Sequence, residues 1–353
     1  MNIFIRAWRS FLYRTRGVRL KHRVCGLGKK MNKRALLVCV PDHSNIGDMA
    51  IAVAEKVFLK SCGISFVSMT SEECDRNLPM LKKAVKSDTL ICYHGGGNLG
   101  NVYGFEESVR RKLLTEFPQN PSVIFPQTIF FTPDEEGRAD MEAASSVYGG
   151  HKKLTVALRD KSSYETAKKM FPSANVIFSP DIVMSTEKST FGVKEGNRNG
   201  VLLCFRGDCE RSMTQSEKDK LASALEERGM GYGYTDMMAE SDLVPQREQM
   251  RCVSDKMKEL SGAGLVITDR LHGMVFSAIT ETPCIAFGNY NHKVEQSYKM
   301  LEHLGYIKFV KDVDEAIALV DEMYGGVGSY DRAPILPLYR ELKNTLLEYT
   351  RKQ

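Results

Sequence analysis

The sequence predicts an α/β protein of two Rossmann-like domains, each a doubly wound parallel sheet, facing one another across a cleft. Three observations carry this. Short apolar runs alternate with helix-periodic stretches, the rhythm of parallel strands joined by crossover helices. The alternation breaks at the polar stretch 185–199 (Ser185, Thr186, Gly192, Gly196, Asn197, Asn199) and then restarts, as an interdomain linker would make it. Polar and charged residues gather directly after the apolar runs, where the carboxyl ends of parallel strands carry ligand-binding loops. A length of 353 residues suits two domains of ordinary size. Segments 34–185 and 195–330 are the expected domains. A basic segment, 1–33, precedes them, and a helix within 331–353 follows.

The elements follow in order. Ala35 to Val40 is a buried strand ending in Pro41-Asp42-His43-Ser44-Asn45-Ile46-Gly47-Asp48, with a helix from Met49 to Leu59. Ile64 to Met69 and Asp88 to Tyr93 are the next strands. The latter runs into His94-Gly95-Gly96-Gly97-Asn98-Leu99-Gly100, then a helix from Phe105 to Phe117 with Val109, Leu113 and Leu114 on one face. Val123 to Phe125 ends in Pro126-Gln127-Thr128. Leu154 to Leu158 ends in Arg159-Asp160 and a helix to Met170. Val176 to Phe178 ends in Pro180-Asp181. Beyond the linker, Val201 to Phe205 ends in Arg206-Gly207-Asp208. Thr214-Gln215-Ser216-Glu217 is a capping box opening a helix with Leu221 and Leu225 inward. Gly231 to Tyr234 is a strand, and Arg251 to Gly262 a helix. Gly264 to Thr268 is a strand breaking into a helix from Gly273 to Glu281. Cys284 to Phe287 is the last strand, ending in Gly288-Asn289-Tyr290-Asn291-His292-Lys293. Leu338 to Tyr349 has helical spacing.

Composition narrows the class. Charged residues are 26% and hydrophobic ones 42%, the range of a globular protein, and no apolar run approaches the ~20 residues a membrane-spanning helix needs. The nine cysteines form no CxxC pair, and Cys39, Cys92 and Cys204 sit inside apolar strands. Buried, reduced thiols in a cytoplasmic protein are expected, and a zinc site is not. The net charge of +5 is local. Residues 1–41 hold eleven Lys and Arg with no Asp or Glu, which leaves −6 for the remainder. An acidic body makes a nucleic-acid partner unexpected. In the basic segment, Phe4, Ile5, Trp8, Phe11 and Leu12 recur at helical spacing among Arg6, Arg9, Arg14, Arg16 and Arg19. That is a membrane-surface signature, and the arginines rule out a secretory h-region. A helix docked on the protein's own body, or a flexible basic tail, is the other reading.

The stretch Val266 to Met274 is the candidate centre. Arg270 and His272 at a strand-to-helix turn form a cationic pair beside a helix N-terminus, suited to an anion and to proton transfer. The structural alternative makes Asp269 a helix cap, Arg270 an ion-pair partner and His272 a core residue. Gly95-Gly96-Gly97-Asn98-Leu99-Gly100 matches GxGxxG but lies outside the first strand–helix turn, with no acid closing a following strand. Asn45-Ile46-Gly47-Asp48 lacks the Lys-Ser/Thr of a phosphate loop. Asp48 would repel phosphate and suits sugar hydroxyls, or it serves as a helix cap.

Taken together, Asn45-Ile46-Gly47-Asp48, His94-Gly95-Gly96-Gly97-Asn98-Leu99-Gly100, Pro126-Gln127-Thr128, Leu158-Arg159-Asp160, Ser179-Pro180-Asp181, Thr268-Asp269-Arg270-Leu271-His272-Gly273 and Asn289-Tyr290-Asn291-His292-Lys293 resemble the polysaccharide pyruvyl transferase family. The set looks most like the branch that decorates exopolysaccharide or capsular repeat units. The resemblance implies a GT-B-like fold and phosphoenolpyruvate as donor and co-substrate, with no cofactor, metal or nucleotide. It also implies that Arg270, His272 and Arg159 are the donor-site and catalytic residues.

Elementary chemistry agrees. The donor carries a carboxylate and a phosphate, both matched by bidentate arginines. His272 is the expected general acid/base. Arg159 and Arg270 clamp the donor, with Lys293 and Arg206 assisting. Asn45, Asp48, Asn98 and Gln127 present the acceptor sugar. With the basic segment, a lipid-linked oligosaccharide at the inner membrane face is the expected acceptor, and a cytoplasmic, peripheral location follows. Two rivals stand beside this reading. One is a nucleotide-sugar glycosyltransferase of the same architecture, for which Glu281 is a poor ribose-binding acid. The other is a non-catalytic carbohydrate-binding protein, which would favour aromatics over cations at the strand ends.

Overall fold

A computed structural model describes residue 24 and residues 34–194, 196–207, 213–288 and 293–351. Its strands, in chain order, are β1 (Arg34–Val40), β2 (His43–Asn45), β3 (Ser65–Thr70), β4 (Leu90–Tyr93), β5 (Gly96–Gly100), β6 (Ser122–Phe130) and β7 (Leu154–Leu158). They continue with β8 (Asn175–Phe178), β9 (Val201–Cys204), β10 (Tyr232–Thr235), β11 (Met238–Leu243), β12 (Leu265–Thr268), β13 (Cys284–Phe287) and β14 (Ile307–Val310). The α/β, two-Rossmann class expected from the sequence is the class the chain adopts.

The chain divides into two compact units. Unit 1 comprises Met1–Pro41, Glu55–Ser179 and Arg340–Gln353, and unit 2 comprises Asp42–Ala54 and Pro180–Tyr339. This differs from the linear division into 34–185 and 195–330. The reason is backbone pairing: β2 runs antiparallel to β11, Ile46 N donates to Met237 O at 2.9 Å and Val244 N donates to Asp42 O at 2.8 Å. Those bonds draw residues 42–54 into unit 2. The helix Arg340–Thr350 belongs to unit 1, where Tyr349 and Thr155 bring their hydroxyls to 3.4 Å.

Unit 1 is built on a parallel sheet of order β3-β1-β4-β6-β7-β8, with β5 added against β6. The inner strands β1, β4 and β7 are buried almost end to end, as apolar runs must be when both faces of a parallel sheet are covered. Leu36, Ile91, Ile124 and Val156 form its core with Leu113 from a helix and Phe171 just past the end of another. Of the expected basic segment 1–33, only Val24 lies within the described residues, and it is buried in this core. The rest of that expectation falls outside them, as do Asp208 and residues 289–292 of the last motif.

Unit 2 carries a parallel sheet of order β10-β9-β12-β13-β14. Leu203, Ile267, Ile285, Phe287 and Val310 fill its core. In each sheet the chain lays a second strand on one side of the first, then returns to the other side. The strand order therefore reverses between β1 and β4 in unit 1 and between β9 and β12 in unit 2. Ligands of open α/β sheets gather beyond the carboxyl ends of strands at such reversals. No helix among the described residues is long and apolar enough to cross a membrane.

Candidate functional site

In unit 2 the reversal point holds the Thr268–His272 turn. Thr268 Oγ1 donates to Cys204 O at 2.7 Å and accepts from Arg270 N at 3.0 Å, tying the end of β12 to the end of β9. Asp269 is wholly buried, and its Oδ1 accepts from Arg206 N at 2.9 Å. It is therefore a second tie between those strands, not the helix cap considered above. Burial pushes its carboxyl up from the usual carboxylate range, against the pull of the Arg206 N–H and of Arg270 and Arg206. Its Oδ2 has no hydrogen-bond partner among the described residues.

The helix begins at Leu271, two residues earlier than its spacing predicts, and runs to Ile279. Arg270 stands at its N-cap, with no side chain capping the first turn. The opening amides of this helix are thus a site for a negative group. Gly273 is required by packing, because a Cβ there would sit 2.5 Å from Thr268 Oγ1.

Arg270 is 5% exposed. Its Nε and Nη2 donate to the two carboxylate oxygens of Asp236, at 2.7 and 2.8 Å. His272 points Nε2 at the buried Asp181, 3.4 Å from Oδ2, an ion-pair distance without hydrogen-bond geometry. Asp181 is held in turn, since its Oδ1 accepts from Val183 N at 3.0 Å and its carbonyl accepts from Tyr339 Oη at 2.6 Å. The Nδ1 side of the ring lies against Gly47, where a Cβ would come within 2.4 Å. The structure thus brings the Asn45–Asp48 motif and His272 together. Asn45 Oδ1 accepts from Gly47 N at 2.9 Å and Asp48 N at 3.3 Å, capping the helix Ile46–Ser61. Asp48 remains partly exposed, with Oδ2 at 3.7 Å from His43 Nε2. Arg206 is half-buried just beyond β9, and Lys293 opens the short helix Lys293–Tyr298.

In unit 1 Arg159 follows β7 and is 6% exposed. Its Nε donates to Thr128 Oγ1 at 3.0 Å. That hydroxyl donates to Asp160 Oδ2 at 2.9 Å, and Asp160 caps the helix Lys161–Met170. Two residues expected to face the acceptor are occupied internally. Gln127 is fully buried, and its Nε2 donates to His94 O at 3.0 Å and Asn98 Oδ1 at 2.8 Å. Asn98 Oδ1 also accepts from Arg110, a buried arginine paired with Glu107. Gln127 and Asn98 thus hold the glycine-rich turn in shape, and Asn98 stays half-buried.

Sequence reasoning missed the partners. Asp236 closes β10 as an ordinary strand-end polar residue, and nothing local links it to Arg270. The pairing of Asp181 with His272 is equally non-local. Glu55, fully buried with Oε2 at 2.9 Å from His94 Nδ1, had one visible signal, a carboxylate on the apolar face of a helix rich in Ala and Val. Among the described residues no group of three or more His, Cys, Asp or Glu could hold a metal ion.

Comparison with known proteins adds to this geometry. The family model for polysaccharide pyruvyl transferase matches residues 45–292. General stress protein 30 of Bacillus subtilis is 31% identical over 82% of this chain and 85% of its own length. Pyruvyl transferase 1 of Schizosaccharomyces pombe is 29% identical, covering 76% of this chain and 68% of its own. Among solved structures, a functionally uncharacterised protein of Klebsiella pneumoniae has a TM-score of 0.58 at 16% identity, covering 79% of this chain and 93% of that one. That likeness speaks to the fold alone.

Proposed function

The chain belongs to the polysaccharide pyruvyl transferase family, and from that premise we propose that it takes the pyruvyl group from phosphoenolpyruvate. The acceptor is a sugar of an exopolysaccharide or capsular repeat unit. Two of its hydroxyls are bridged as a pyruvate ketal, and phosphate leaves. The observation that carries the proposal is the His272–Asp181 pair beside the uncapped helix N-terminus at the reversal point of unit 2.

The chemistry runs as follows. A proton added to the methylene carbon of the donor makes C2 electrophilic. A sugar hydroxyl bonds to C2 and loses its proton, phosphate departs, and the second hydroxyl closes the ring with loss of its own proton. An imidazolium is the fitting acid for the first step near neutral pH. Asp181 holds its carboxylate 3.4 Å from Nε2 of that ring. The opening amides of the helix Leu271–Ile279 suit an anionic group of the donor, and Asp236 fixes the plane of the Arg270 fork. Arg159 is the second donor arginine that the family resemblance assigns. Asp48, partly exposed beside Asn45, is the candidate for sugar hydroxyls. Glu281, the acid weighed for a nucleotide ribose, is instead paired with Lys188 and accepts from Tyr330 N at 3.2 Å.

The decisive assay is phosphate release from phosphoenolpyruvate with a panel of lipid-linked and nitrophenyl glycosides, run in parallel with UDP-sugars. Phosphate released only with a glycoside present supports the proposal. Consumption of UDP-sugars instead would replace it with glycosyl transfer. The proposal extends to a lipid-linked acceptor at the cytoplasmic membrane face, reached through the basic residues before Val24. Flotation with anionic liposomes, with and without residues 1–20, tests that extension. Equal recovery in the soluble fraction would count against it.

A further inference from the structure

Unit 1 presents an apolar surface that the chemistry above does not use. Val102, Tyr103 and Phe105 are 51%, 45% and 50% exposed, where β5 passes into the helix Gly104–Glu116. Among the described residues no other stretch exposes three large hydrophobic side chains within four positions. Single exposed apolar residues are ordinary, whereas a run of them marks a contact or a defect. This run is held firmly. β5 lies parallel to β6, with Gly100 opposite Phe130. Gly100 has φ +149°, and a Cβ there would overlap Phe130 O, so the two strand ends meet backbone to backbone. Asn101 is then bonded twice to Thr132, its Nδ2 donating to Oγ1 at 2.7 Å and its Oδ1 accepting from Thr132 N at 2.9 Å.

The aromatic residues therefore stand on a fixed base beyond the carboxyl ends of β5 and β6, on the side where α/β sheets receive ligands. A surface already ordered gives up little freedom on binding. The charges around it select the partner. Residues 101–109 and 130–138 carry the acids Glu106, Glu107, Asp134, Glu135 and Glu136 and a single base, Arg138. Asp134, Glu135 and Glu136 are exposed, and the helix that Asp134 caps, Glu135–Gly150, packs against β5. Such a rim repels an anionic lipid surface. It suits a neutral sugar, whose C–H face lies against an aromatic π-face while the hydroxyls at its edge donate to carboxylates.

We propose that Tyr103 and Phe105 form a stacking platform for a neutral sugar ring of the acceptor glycan, with the acidic rim accepting from its hydroxyls. The inference rests on the pyruvyl-transfer reading for the identity of that glycan as the acceptor. An acceptor built of repeat units extends past the ring that is modified. The platform therefore sets affinity for the glycan and takes no part in the chemical step.

The test is calorimetric titration of the full chain with free oligosaccharides of glucose, galactose and mannose, which carry no aromatic aglycone that could itself stack. Tyr103→Ala and Phe105→Ala are each expected to raise Kd about tenfold for the oligosaccharide that binds wild type, with thermal unfolding as the control for folding. Tyr103→Phe and Phe105→Trp keep a π-face and should keep the affinity. Phe105→Leu keeps apolar bulk without that face and should lose affinity as the alanine variant does. Wild-type affinity in both alanine variants, or in Phe105→Leu, overturns the inference, and so does a wild type that binds no oligosaccharide. Loss of binding to vesicles of phosphatidylcholine and phosphatidylglycerol in Phe105→Ala, with oligosaccharide affinity intact, would replace the sugar by a lipid surface. Oligosaccharide binding that fails in the alanine variants, by a wild type that releases no phosphate from phosphoenolpyruvate with any glycoside, would leave the platform standing and overturn the pyruvyl-transfer reading alone.

Discussion

Each unit places a histidine beside a buried carboxylate where its strand order reverses, and the two pairs are built differently. His94 meets Glu55 through Nδ1 at 2.9 Å, within hydrogen-bond geometry. His272 faces Asp181 through Nε2 at 3.4 Å, without it. The tight pair fixes its ring by a hydrogen bond, and the looser pair sets a carboxylate beside its ring without one. Arg270 is gripped at Nε and Nη2 by Asp236, and the Nε of Arg159 donates to the hydroxyl of Thr128.

The largest test of that contrast is at His272. His272→Gln is expected to reduce kcat for phosphate release by about 10³-fold, and Asp181→Asn by a smaller factor, because the ring stays while its counter-charge goes. Gly47→Ala should fall between them by forcing a methyl to within 2.4 Å of Nδ1. Steady-state kinetics with thermal unfolding as the control would read all three. Activity within a few-fold of wild type in His272→Gln would make that ring a core residue and erase the difference between the pairs.

How much of this was legible in the sequence follows from the range of the forces involved. β1, β4, β7, β12 and β13 were readable because strands covered on both faces are continuous apolar runs. β5 was not, because Gly-Gly-Asn-Leu-Gly carries no hydrophobic period and is held by backbone pairing to β6. β11 was missed for a related reason, since most of its residues are exposed and lack alternation. Arg270 and His272 stood out because their chemistry is local to one turn. The partners that set their behaviour, Asp236 and Asp181, are contributed by other segments. Gln127 and Asn98 are polar residues after strand ends whose partners, His94 O and Arg110, come from other segments and carry no local signal.

The next effect in size is at Arg270. Arg270→Lys keeps the charge but loses the planar fork, and should cost roughly 2–4 kcal/mol of transition-state stabilisation in kcat/KM for phosphoenolpyruvate. Asp236→Asn retains an oxygen acceptor and should retain more activity than Arg270→Lys. The opposite order would mean that neutralising the arginine, not aiming it, is the task of Asp236. A smaller change is expected from Thr128→Val, which removes the hydroxyl between Arg159 and Asp160. One neutral hydrogen bond is worth about 1 kcal/mol, so KM for phosphoenolpyruvate should rise several-fold with kcat little altered. A loss as large as that of Arg270→Lys would show that Thr128 does more than steady Arg159.

The smallest effect concerns stability, and its sign is the point. Burial raises the Asp269 carboxyl above its unfolded value, so the folded chain holds this proton more tightly than the unfolded chain does. Below the unfolded value, near 3.9, Asp269 is protonated in both states and contributes nothing. As pH climbs from there through the raised folded value, ionisation favours the unfolded chain and stability falls, then levels off. Asp269→Asn keeps an Oδ1 acceptor for Arg206 N and has no proton to lose. The variant should therefore match the wild type in acid and gain on it as pH rises toward neutrality, measured as the difference in thermal midpoint across a pH series. A variant less stable than wild type at neutral pH would show that the ionised carboxylate is welcome there, stabilised by Arg270 and Arg206 beyond the cost of its burial. The turn that carries His272 would then be held together by charge and not by the neutral ties between β9 and β12.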